Sequence, residues 1–301
     1  MIYTLTFNPS IDYLIELETE VAVGKMNRSK NTQYLIGGKG INVSQVLKNL
    51  KTDSVALGFV GGFVGNQIVG GLENIGVACD FIEVEGINSR INVKLHTSVD
   101  TEINAKGPDI DEEALSKMCR RVAKLKEEDL LIVSGSVAAN MTLSDWEKIL
   151  DSMSAGRFIC DMAGDFLLDS LKYNPFLVKP NHIELAQALG RKILPDDGEA
   201  VKRAAGELIE RGAQNVLVSC AEYGAYLVGQ GGDVIYCRAP KGEAVNTVGA
   251  GDSMLAGFVA GYESSGGDRN LALRLGVAAG SATAFRRGLA SGDEIERIMK
   301  N

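Results

Sequence analysis

Strand-like and helix-like patterns alternate along most of the chain, and this alternation limits the fold more than any other sequence feature. Short apolar runs predict buried strands, and apolar residues spaced three or four positions apart predict helices. From residue 109 onward, helical and strand patterns follow one another with few interruptions. This order favours one α/β unit, with a mostly parallel sheet between two helical layers and right-handed connections.

One region departs from the alternation. Residues 79–106 contain short β patterns near 80–84, 90–95 and 101–105, with no helical pattern between them. Together with an alternating strand at 13–17, they are expected to form a small sheet that stands off the main unit as a lid. The chain is therefore predicted to be a single domain over residues 1–301, with a β lid formed by segments near 12–36 and 79–106.

Composition excludes several classes of function. The chain has 31 Lys and Arg against 39 Asp and Glu, a net charge of −8, which argues against a nucleic-acid partner. It has no apolar run long enough to span a membrane, so no membrane partner is expected. Five scattered cysteines without a CxxC motif favour reduced thiols and a cytoplasmic location, and two histidines leave little room for a His-rich metal site.

Local charge indicates a small anionic ligand. Residues 21–52 contain no acid and six bases, in a chain whose net charge is negative. Glycine is also frequent: the chain has 35 glycines, and ten of them form five Gly-Gly pairs. The six bases of the acid-free segment are Lys25, Arg28, Lys30, Lys39, Lys48 and Lys51.

The strongest motif is Asn246-Thr-Val-Gly-Ala-Gly-Asp252-Ser, followed by a small apolar run. Gly249 and Gly251 allow a tight turn onto a helix N-terminus, where unpaired N–H groups and the helix dipole favour phosphates. Asp252 would lie in the first turn beside that anion. The alternative is a glycine loop in which Asp252 only caps the helix. The motif matches neither the P-loop nor GxGxxG, which disfavours a Rossmann dehydrogenase.

A second motif, Gly37-Gly38-Lys39-Gly40-Ile41-Asn42, also opens a predicted helix. Its bare backbone permits close approach of a ligand, and Asn42 can both donate to and accept from sugar hydroxyls. The alternative is a tight strand-to-helix turn that leaves Lys39 in water.

A third motif, Lys179-Pro-Asn181-His-Ile-Glu184, has the spacing of a helix capping box. A carboxylate at this place could instead hold Mg²⁺ through water, so both interpretations stay open for Glu184. Other polar residues follow predicted strands, where open α/β sheets bind their ligands. These residues are Asp12, Ser136, Asp161 and Ser219, with Gly224 near Ser219.

In this order and spacing, the three motifs resemble the ribokinase-like (PfkB) carbohydrate kinase family over essentially the whole chain. The resemblance implies a ribokinase-like three-layer α/β/α sandwich with a mostly parallel sheet and a small β-sheet lid that closes over a sugar. It also implies a homodimer formed through the lid.

Within the family, residues 6–12, 58–63, 90–94 and 101–104 resemble kinases of phosphorylated ketoses. The amino-acid sequence around residues 7–9 and 90–104 favours the 1-phosphofructokinase branch, and the tagatose-6-phosphate kinases are the alternative. The implied reaction is ATP-dependent phosphorylation of fructose 1-phosphate to fructose 1,6-bisphosphate, so the expected partners are a small phosphosugar and ATP.

The resemblance also assigns roles to individual residues. Asp252 would be the catalytic base, and the backbone of Gly249, Ala250 and Gly251 would stabilise the transferred phosphoryl group. Glu184 would order Mg²⁺, and a monovalent-cation site near 246–248 and 280–286 is compatible with the family. The sugar-side residues would be Asp12, Arg28, Gly38, Lys39, Asn42, Arg90 and Ser136, and the nucleotide-side residues Lys179, Asn181, Ser219 and Gly224.

Two loops depart from the family pattern. Residues 135–140 lack the usual proline and second glycine, and residues 161–164 read Asp-Met-Ala-Gly where the family has a hydroxyl residue after the aspartate. These departures keep open an alternative of a different class, a non-catalytic sugar-phosphate or nucleotide-binding regulator on the same fold.

Overall fold

A nine-stranded sheet forms the centre of the computed structural model, which describes residues 1–99 and 101–300. Seven neighbouring strands run parallel, and two antiparallel strands extend one edge. Across the sheet the strands are β13 (Val234–Cys237), β12 (Ala225–Gly229), β11 (Asn215–Ser219), β10 (Leu177–Val178), β9 (Arg157–Asp161), β8 (Leu130–Ser134), β1 (Ile2–Thr6), β4 (Ser54–Val60) and β5 (Ala78–Glu83).

Helices cover both faces of this sheet because its central strands are apolar on both sides. Along β8, Leu131 and Val133 point into one core, and Leu130 and Ile132 point into the other. The predicted three-layer sandwich is therefore confirmed. The helices are α1 (Lys39–Asn49), α2 (Gly62–Asn74), α3 (Glu112–Val122), α4 (Leu143–Asp151), α5 (Asp165–Ser170), α6 (His182–Ala188), α7 (Gly198–Glu210), α8 (Ala250–Ser264), α9 (Arg269–Ala284) and α10 (Gly292–Lys300).

Four further strands form a separate, smaller sheet. In spatial order they are β3 (Ser29–Gly37), β2 (Ser10–Leu17), β6 (Arg90–His96) and β7 (Thr101–Ile103). β2 pairs in parallel with β6, and the two outer pairs are antiparallel. Four segments connect the sheet to the main unit: residues 7–9, residue 38, residues 84–89 and residues 104–111.

The structure corrects the predicted composition of the small sheet. The segment near 80–84 belongs instead to β5, the edge strand of the large sheet, where it pairs with β4. α2 follows β4 and packs against it, and the usual right-handed connection then places the next strand, β5, beside β4. Local alternation of apolar residues does not reveal which strand becomes the neighbour. β3 carries no clear apolar alternation because most of it is exposed and polar.

No helix among residues 1–99 and 101–300 is long and apolar enough to cross a membrane. All five cysteines are free thiols.

Close contact between α8 and α9 depends on small residues. A Cβ built on Gly257 would lie 2.6 Å from the carbonyl oxygen of Leu275 and 2.8 Å from the Cβ of Ala279. Both neighbours belong to α9, whose backbone cannot move away without disturbing the core behind it. α8 is buried over most of its length, so this contact fixes the position of its N-terminus.

We expect Gly257→Ala to destabilise the fold by ~1–3 kcal/mol because the added methyl overpacks a rigid contact. Gly206→Ala in α7 is the matched control, since a Cβ there meets nothing within 4 Å. The control should be neutral or more stable by up to ~1 kcal/mol, through the higher helix propensity of alanine. Urea unfolding of the three proteins measures both changes, and equal stabilities would contradict the proposed contact.

Candidate active site

A cleft of about 870 Å³ lies between the small sheet and the ends of the parallel strands. Its wall includes residues at the carboxyl ends of β1, β8, β10 and β11 and at the N-termini of α1, α6 and α8. All but one of the sequence-predicted site residues line it: Asp12, Gly38, Lys39, Asn42, Arg90, Ser136, Lys179, Asn181, Glu184, Ser219, Gly224, Gly249, Ala250, Gly251 and Asp252.

Asp252 lies in the first turn of α8 and is only 6% exposed. The helix begins after Gly249, whose φ of 80° is in the left-handed region that favours glycine. Asn42, in the first turn of α1, donates a hydrogen bond from Nδ2 to Asp252 Oδ2 at 2.8 Å. The N-termini of two helices thus meet at one carboxylate, at a place where helix dipoles favour an anion.

The surroundings of Asp252 disfavour its ionised form. Burial, and then the nearby carboxylate of Asp161, raise its pKa to about 6, against the opposing effects of Asn42, Lys39 and Lys179. A carboxylate with a pKa in this range can accept a proton near neutral pH and later release it.

A buried ion pair lies on the floor of the cleft. Lys179, directly after β10, places Nζ 3.0 Å from Asp161 Oδ1 at the end of β9, and both side chains are at most 5% exposed. Ser134, at the end of β8, donates to Asp161 Oδ2 at 2.5 Å. A Cβ built on Gly251 would lie 3.4 Å from Lys179 Nζ, which places the ammonium directly under the start of α8.

Glu184 and Asn181 form the capping box of α6. Asn181 Oδ1 accepts from the backbone N–H groups of Ile183 and Glu184, and Glu184 Oε2 accepts from the N–H of Asn181 at 2.9 Å. Glu184 Oε1 remains 3.8 Å from Lys39 Nζ. The pKa of Lys39 is raised mainly by Asp161 and then by Glu184, so its ammonium stays charged beside the cleft.

At the small-sheet end, Asp12 faces the cleft from β2. Its Oδ1 accepts from Ser10 Oγ at 2.9 Å and from Asn92 Nδ2 at 2.8 Å. Arg90 begins β6 and donates from Nε to the carbonyl oxygen of Asn8 at 3.2 Å. Burial lowers the pKa of the Arg90 guanidinium relative to its usual value, against the opposing charge of Asp12.

Ser219 and Gly224 lie at the opposite end of the cleft. Ser219 ends β11, which is four strand positions from β1, a separation of roughly 19 Å across the sheet. Gly224 has a φ of 99°, and a Cβ there would lie 2.1 Å from the carbonyl oxygen of Cys237. The cleft is therefore long enough to hold two small molecules end to end, with Asp252 in its wall.

Residues 5–296 match a family model described as pfkB family carbohydrate kinase. The chain belongs to the pfkB family of carbohydrate kinases.

Individual relatives agree with this membership. The kinase is 42% identical over 301 residues to the 1-phosphofructokinase of Bacillus subtilis (strain 168), covering 99% of this chain and 97% of that protein. It is 38% identical over 301 residues to the D-tagatose-1-phosphate kinase of Bacillus licheniformis, with coverage of 99% and 97%. The solved structure of Escherichia coli phosphofructokinase-2 in complex with fructose-6-phosphate superposes with a TM-score of 0.90 at 27% identity, covering 99% of this chain and 98% of that one.

These comparisons confirm the predicted family, the predicted fold and the prediction of a sugar-phosphate kinase.

Arg28 is the one predicted site residue that the structure places away from the cleft of its own chain, and its sugar-side role stays a prediction. The end of β3 approaches Asp12, which pairs with Leu35 and lies close to Gly37, whereas Arg28 precedes the first residue of that strand. Nine extended residues separate the two positions by roughly 30 Å. Arg28 is exposed there and does not line the cleft of its own chain.

Sequence patterns alone did not assign a role to Asp161, Asn92 or Lys94. Asp161 was visible only as a polar residue after a strand, and its pairing with Lys179 depends on β9 and β10 being neighbours. The structure also places Lys179 in that pair, on the floor of the cleft, and its role on the nucleotide side stays a prediction.

The raised pKa of Asp252 should lower the stability of the fold progressively between about pH 4 and pH 6, and by its full amount above pH 6. An acid whose pKa is higher in the folded than in the unfolded chain lowers stability once both states are ionised, and has no effect when both are protonated. We therefore expect Asp252→Asn to raise the free energy of unfolding at pH 8 by ~1–3 kcal/mol. The gain should fall to about half at pH 5 and be lost near pH 4.

Urea unfolding of both proteins at these pH values measures the effect. Asp53→Asn, at an exposed carboxylate paired with Lys48, is the control and should show no such pH-dependent gain. An Asn variant less stable than the parental chain at pH 8 would show that the buried carboxylate is favourable in its ionised form.

Proposed function

We propose that the chain transfers the γ-phosphoryl group of ATP to the 6-hydroxyl of a ketose 1-phosphate, with fructose 1-phosphate as the preferred substrate and fructose 1,6-bisphosphate as the product. The observation that carries the proposal is Asp252, a buried carboxylate with its pKa raised to about 6, at a helix N-terminus in the wall of a two-ended cleft. The relatives named 1-phosphofructokinase and D-tagatose-1-phosphate kinase both support a ketose 1-phosphate.

In the proposed reaction, the 6-hydroxyl oxygen attacks the γ-phosphorus of ATP. A new O–P bond forms, the bond from the γ-phosphorus to the bridging oxygen breaks, and ADP leaves with that oxygen. Asp252 accepts the hydroxyl proton and releases it to solvent after the products leave. The backbone N–H groups at Gly249, Ala250 and Gly251 stabilise the charge on the transferred group, as the start of α8 favours an anion.

The sugar would lie at the small-sheet end. Asp12, Gly38 and Asn42 can hold its hydroxyl groups, and Asn42 also contacts Asp252, so the acceptor hydroxyl and the base share one neighbour. The 1-phosphate requires cations, and Lys39 and Arg90 supply them in the wall of the cleft, with the exposed hydroxyl of Ser136 as a further donor.

ATP would occupy the other end, near Ser219, Gly224 and Asn181. Among residues 1–99 and 101–300, no three His, Cys, Asp or Glu side chains are grouped as a metal site would require. This arrangement fits a magnesium ion that arrives with the nucleotide, since Mg²⁺ keeps several waters and needs only one or two carboxylates besides phosphates. Glu184 Oε1 would contact such a water. When bound, Mg²⁺ neutralises charge on the phosphates.

A monovalent cation near residues 246–248 and 280–286 is also part of the proposal. Escherichia coli phosphofructokinase-2, 28% identical to this chain, has been solved in complex with potassium. The cytoplasmic location is supported by five free cysteines.

The small sheet is the proposed lid and homodimer interface. Its face opposite the cleft exposes apolar side chains on adjacent strands, which in water favour burial against a partner. They include Tyr34, Ile91 and Ile103, at 64%, 39% and 58% exposure. A structure of Escherichia coli phosphofructokinase-2 is described as its tetrameric inhibited form, so that relative does assemble.

An ATP-coupled substrate screen tests the proposed function. The acceptors should be fructose 1-phosphate, tagatose 1-phosphate, fructose 6-phosphate, tagatose 6-phosphate and free fructose. We expect the highest kcat/KM with fructose 1-phosphate and a lower value with tagatose 1-phosphate, which differs only at C4. Faster turnover of a ketose 6-phosphate would overturn the choice of substrate. Binding of phosphosugar and ATP without turnover of any acceptor would favour the regulator instead.

Asp252→Asn should lower kcat by about 100- to 10,000-fold because the amide cannot accept the proton. The affinity for ATP, measured by calorimetry, should survive. In the parental enzyme, kcat/KM should fall below about pH 6, where Asp252 becomes protonated. Asp53→Asn is the control for substitution of a carboxylate, and a variant Asp252→Asn with near-parental turnover would exclude the assigned base.

A further inference from the structure

The cleft-facing side of the small sheet carries a row of polar residues from two neighbouring strands. β2 and β6 pair in parallel, with Asp12 opposite Asn92 and Leu14 opposite Lys94. Side chains two positions apart on a strand share a face, so Asn92 and Lys94 lie on the same side as Asp12. Asn92 is 6% exposed, and the side chain of Lys94 is 14% exposed.

Contacts from this row hold both oxygens of the Asp12 carboxylate. Oδ1 accepts from Asn92 Nδ2 at 2.8 Å and from Ser10 Oγ at 2.9 Å, which uses the two lone-pair positions of that oxygen. Oδ2 lies 3.3 Å from Lys94 Nζ. A Cβ on Gly37 would come within 2.9 Å of Oδ2, so the glycine leaves this oxygen uncovered on its other side. The carboxylate is therefore fixed, with room for one more donor at Oδ2.

Lys94 also balances charge at the sugar end. A phosphosugar carries about −2 near neutral pH, and an uncompensated carboxylate at Asp12 would repel it. Lys94 lies between Asp12 and Glu102, 3.3 Å from an oxygen of each. One ammonium offsets part of the charge of these two carboxylates, so Asp12 can accept a hydroxyl with less repulsion of a bound anion.

Asn92 connects the same carboxylate to the main unit. While its Nδ2 binds Asp12, its Oδ1 accepts from the backbone N–H of Ala105 at 3.2 Å. Ala105 follows β7 in the connection that leads from the small sheet back to α3. The amide nitrogen of Asn92 thus binds Asp12, and its amide oxygen binds a segment that connects the small sheet to the main unit.

We propose that Asn92 and Lys94 are positioning residues for the phosphosugar: they hold the Asp12 carboxylate in one orientation and compensate its charge. The inference rests on the proposed function, because Asp12 is taken to bind the sugar. Neither residue touches the transferred phosphoryl group in this scheme, so their loss should weaken sugar binding and leave the chemical step largely intact.

The test compares Asn92→Leu and Lys94→Met with Lys30→Met, a matched control. Lys30 also forms an ion pair on the small sheet, 3.6 Å from Glu16, but unlike Lys94 it is not paired with Asp12. Each of the two test variants should raise the KM for the phosphosugar by about 10-fold, with kcat and the KM for ATP changed by less than about 3-fold. Lys94→Arg should restore most of the sugar affinity, because it keeps the charge.

A second measurement separates positioning from general damage to the fold. In an Asp12→Asn background, Asn92→Leu should raise the sugar KM by less than about 2-fold more, since its partner is already altered. A full additional 10-fold rise would show that Asn92 acts independently of Asp12 and would overturn the proposal. Asn92→Ser serves the same comparison if Asn92→Leu does not fold.

The assays use whichever acceptor the parental enzyme turns over fastest. If the parental enzyme phosphorylates a sugar and both variants keep its KM, this inference fails and the proposed function survives. If no acceptor is phosphorylated, the proposed function fails, and this inference fails with it.

Discussion

Burial of one carboxylate at the start of α8 is the constraint on which the rest of the site depends. Removing Asp252 from water disfavours its charge, and the second carboxylate of Asp161 adds to that cost. The fold offsets the cost only in part, through the amide of Asn42 and the ammonium groups of Lys39 and Lys179. A fully compensated carboxylate would be a poor base, and an uncompensated one would stay protonated at neutral pH. This partial compensation leaves Asp252 able to exchange a proton near neutral pH.

The architecture supplies this balance from distant parts of the chain. Parallel strands end at one edge of the sheet, so Ser134, Asp161 and Lys179 meet there although 45 positions separate the first from the last. α8 can rest above them because glycines at the α8–α9 contact let the two helices approach closely. The small sheet begins immediately after β1, which places Asp12 beside the same edge. Packing and chemistry are therefore linked, since a shift of α8 would move Asp252 relative to the ion pair beneath it.

Much of the fold and of the candidate site could be predicted because the signals were local. β4 and β8 are apolar runs, and the glycine motifs before α1 and α8 mark helix starts that face the cleft. The features that local signals did not predict are non-local. The partner strand of β5, the remoteness of Arg28 and the pairing of Lys179 with Asp161 each depend on which strands are neighbours. The basic segment near residue 28 indicated an anion, but a cation's place in sequence does not say whether an extended strand carries it away from the site.

Two carboxylates face one cleft, and their surroundings differ in kind. Asp12 Oδ1 accepts two hydrogen bonds, and Asp12 Oδ2 lies 3.3 Å from Lys94 Nζ. All three partners belong to the small sheet. Asp252 receives one hydrogen bond from an amide and faces another carboxylate from a buried position. A cation and several donors hold the Asp12 carboxylate in one orientation, whereas burial beside a like charge raises the pKa of Asp252. Under the proposed function, Asp12 would bind a hydroxyl at one end of the cleft and Asp252 would remove a proton in its wall, and this difference would be set by neighbours from other strands and helices.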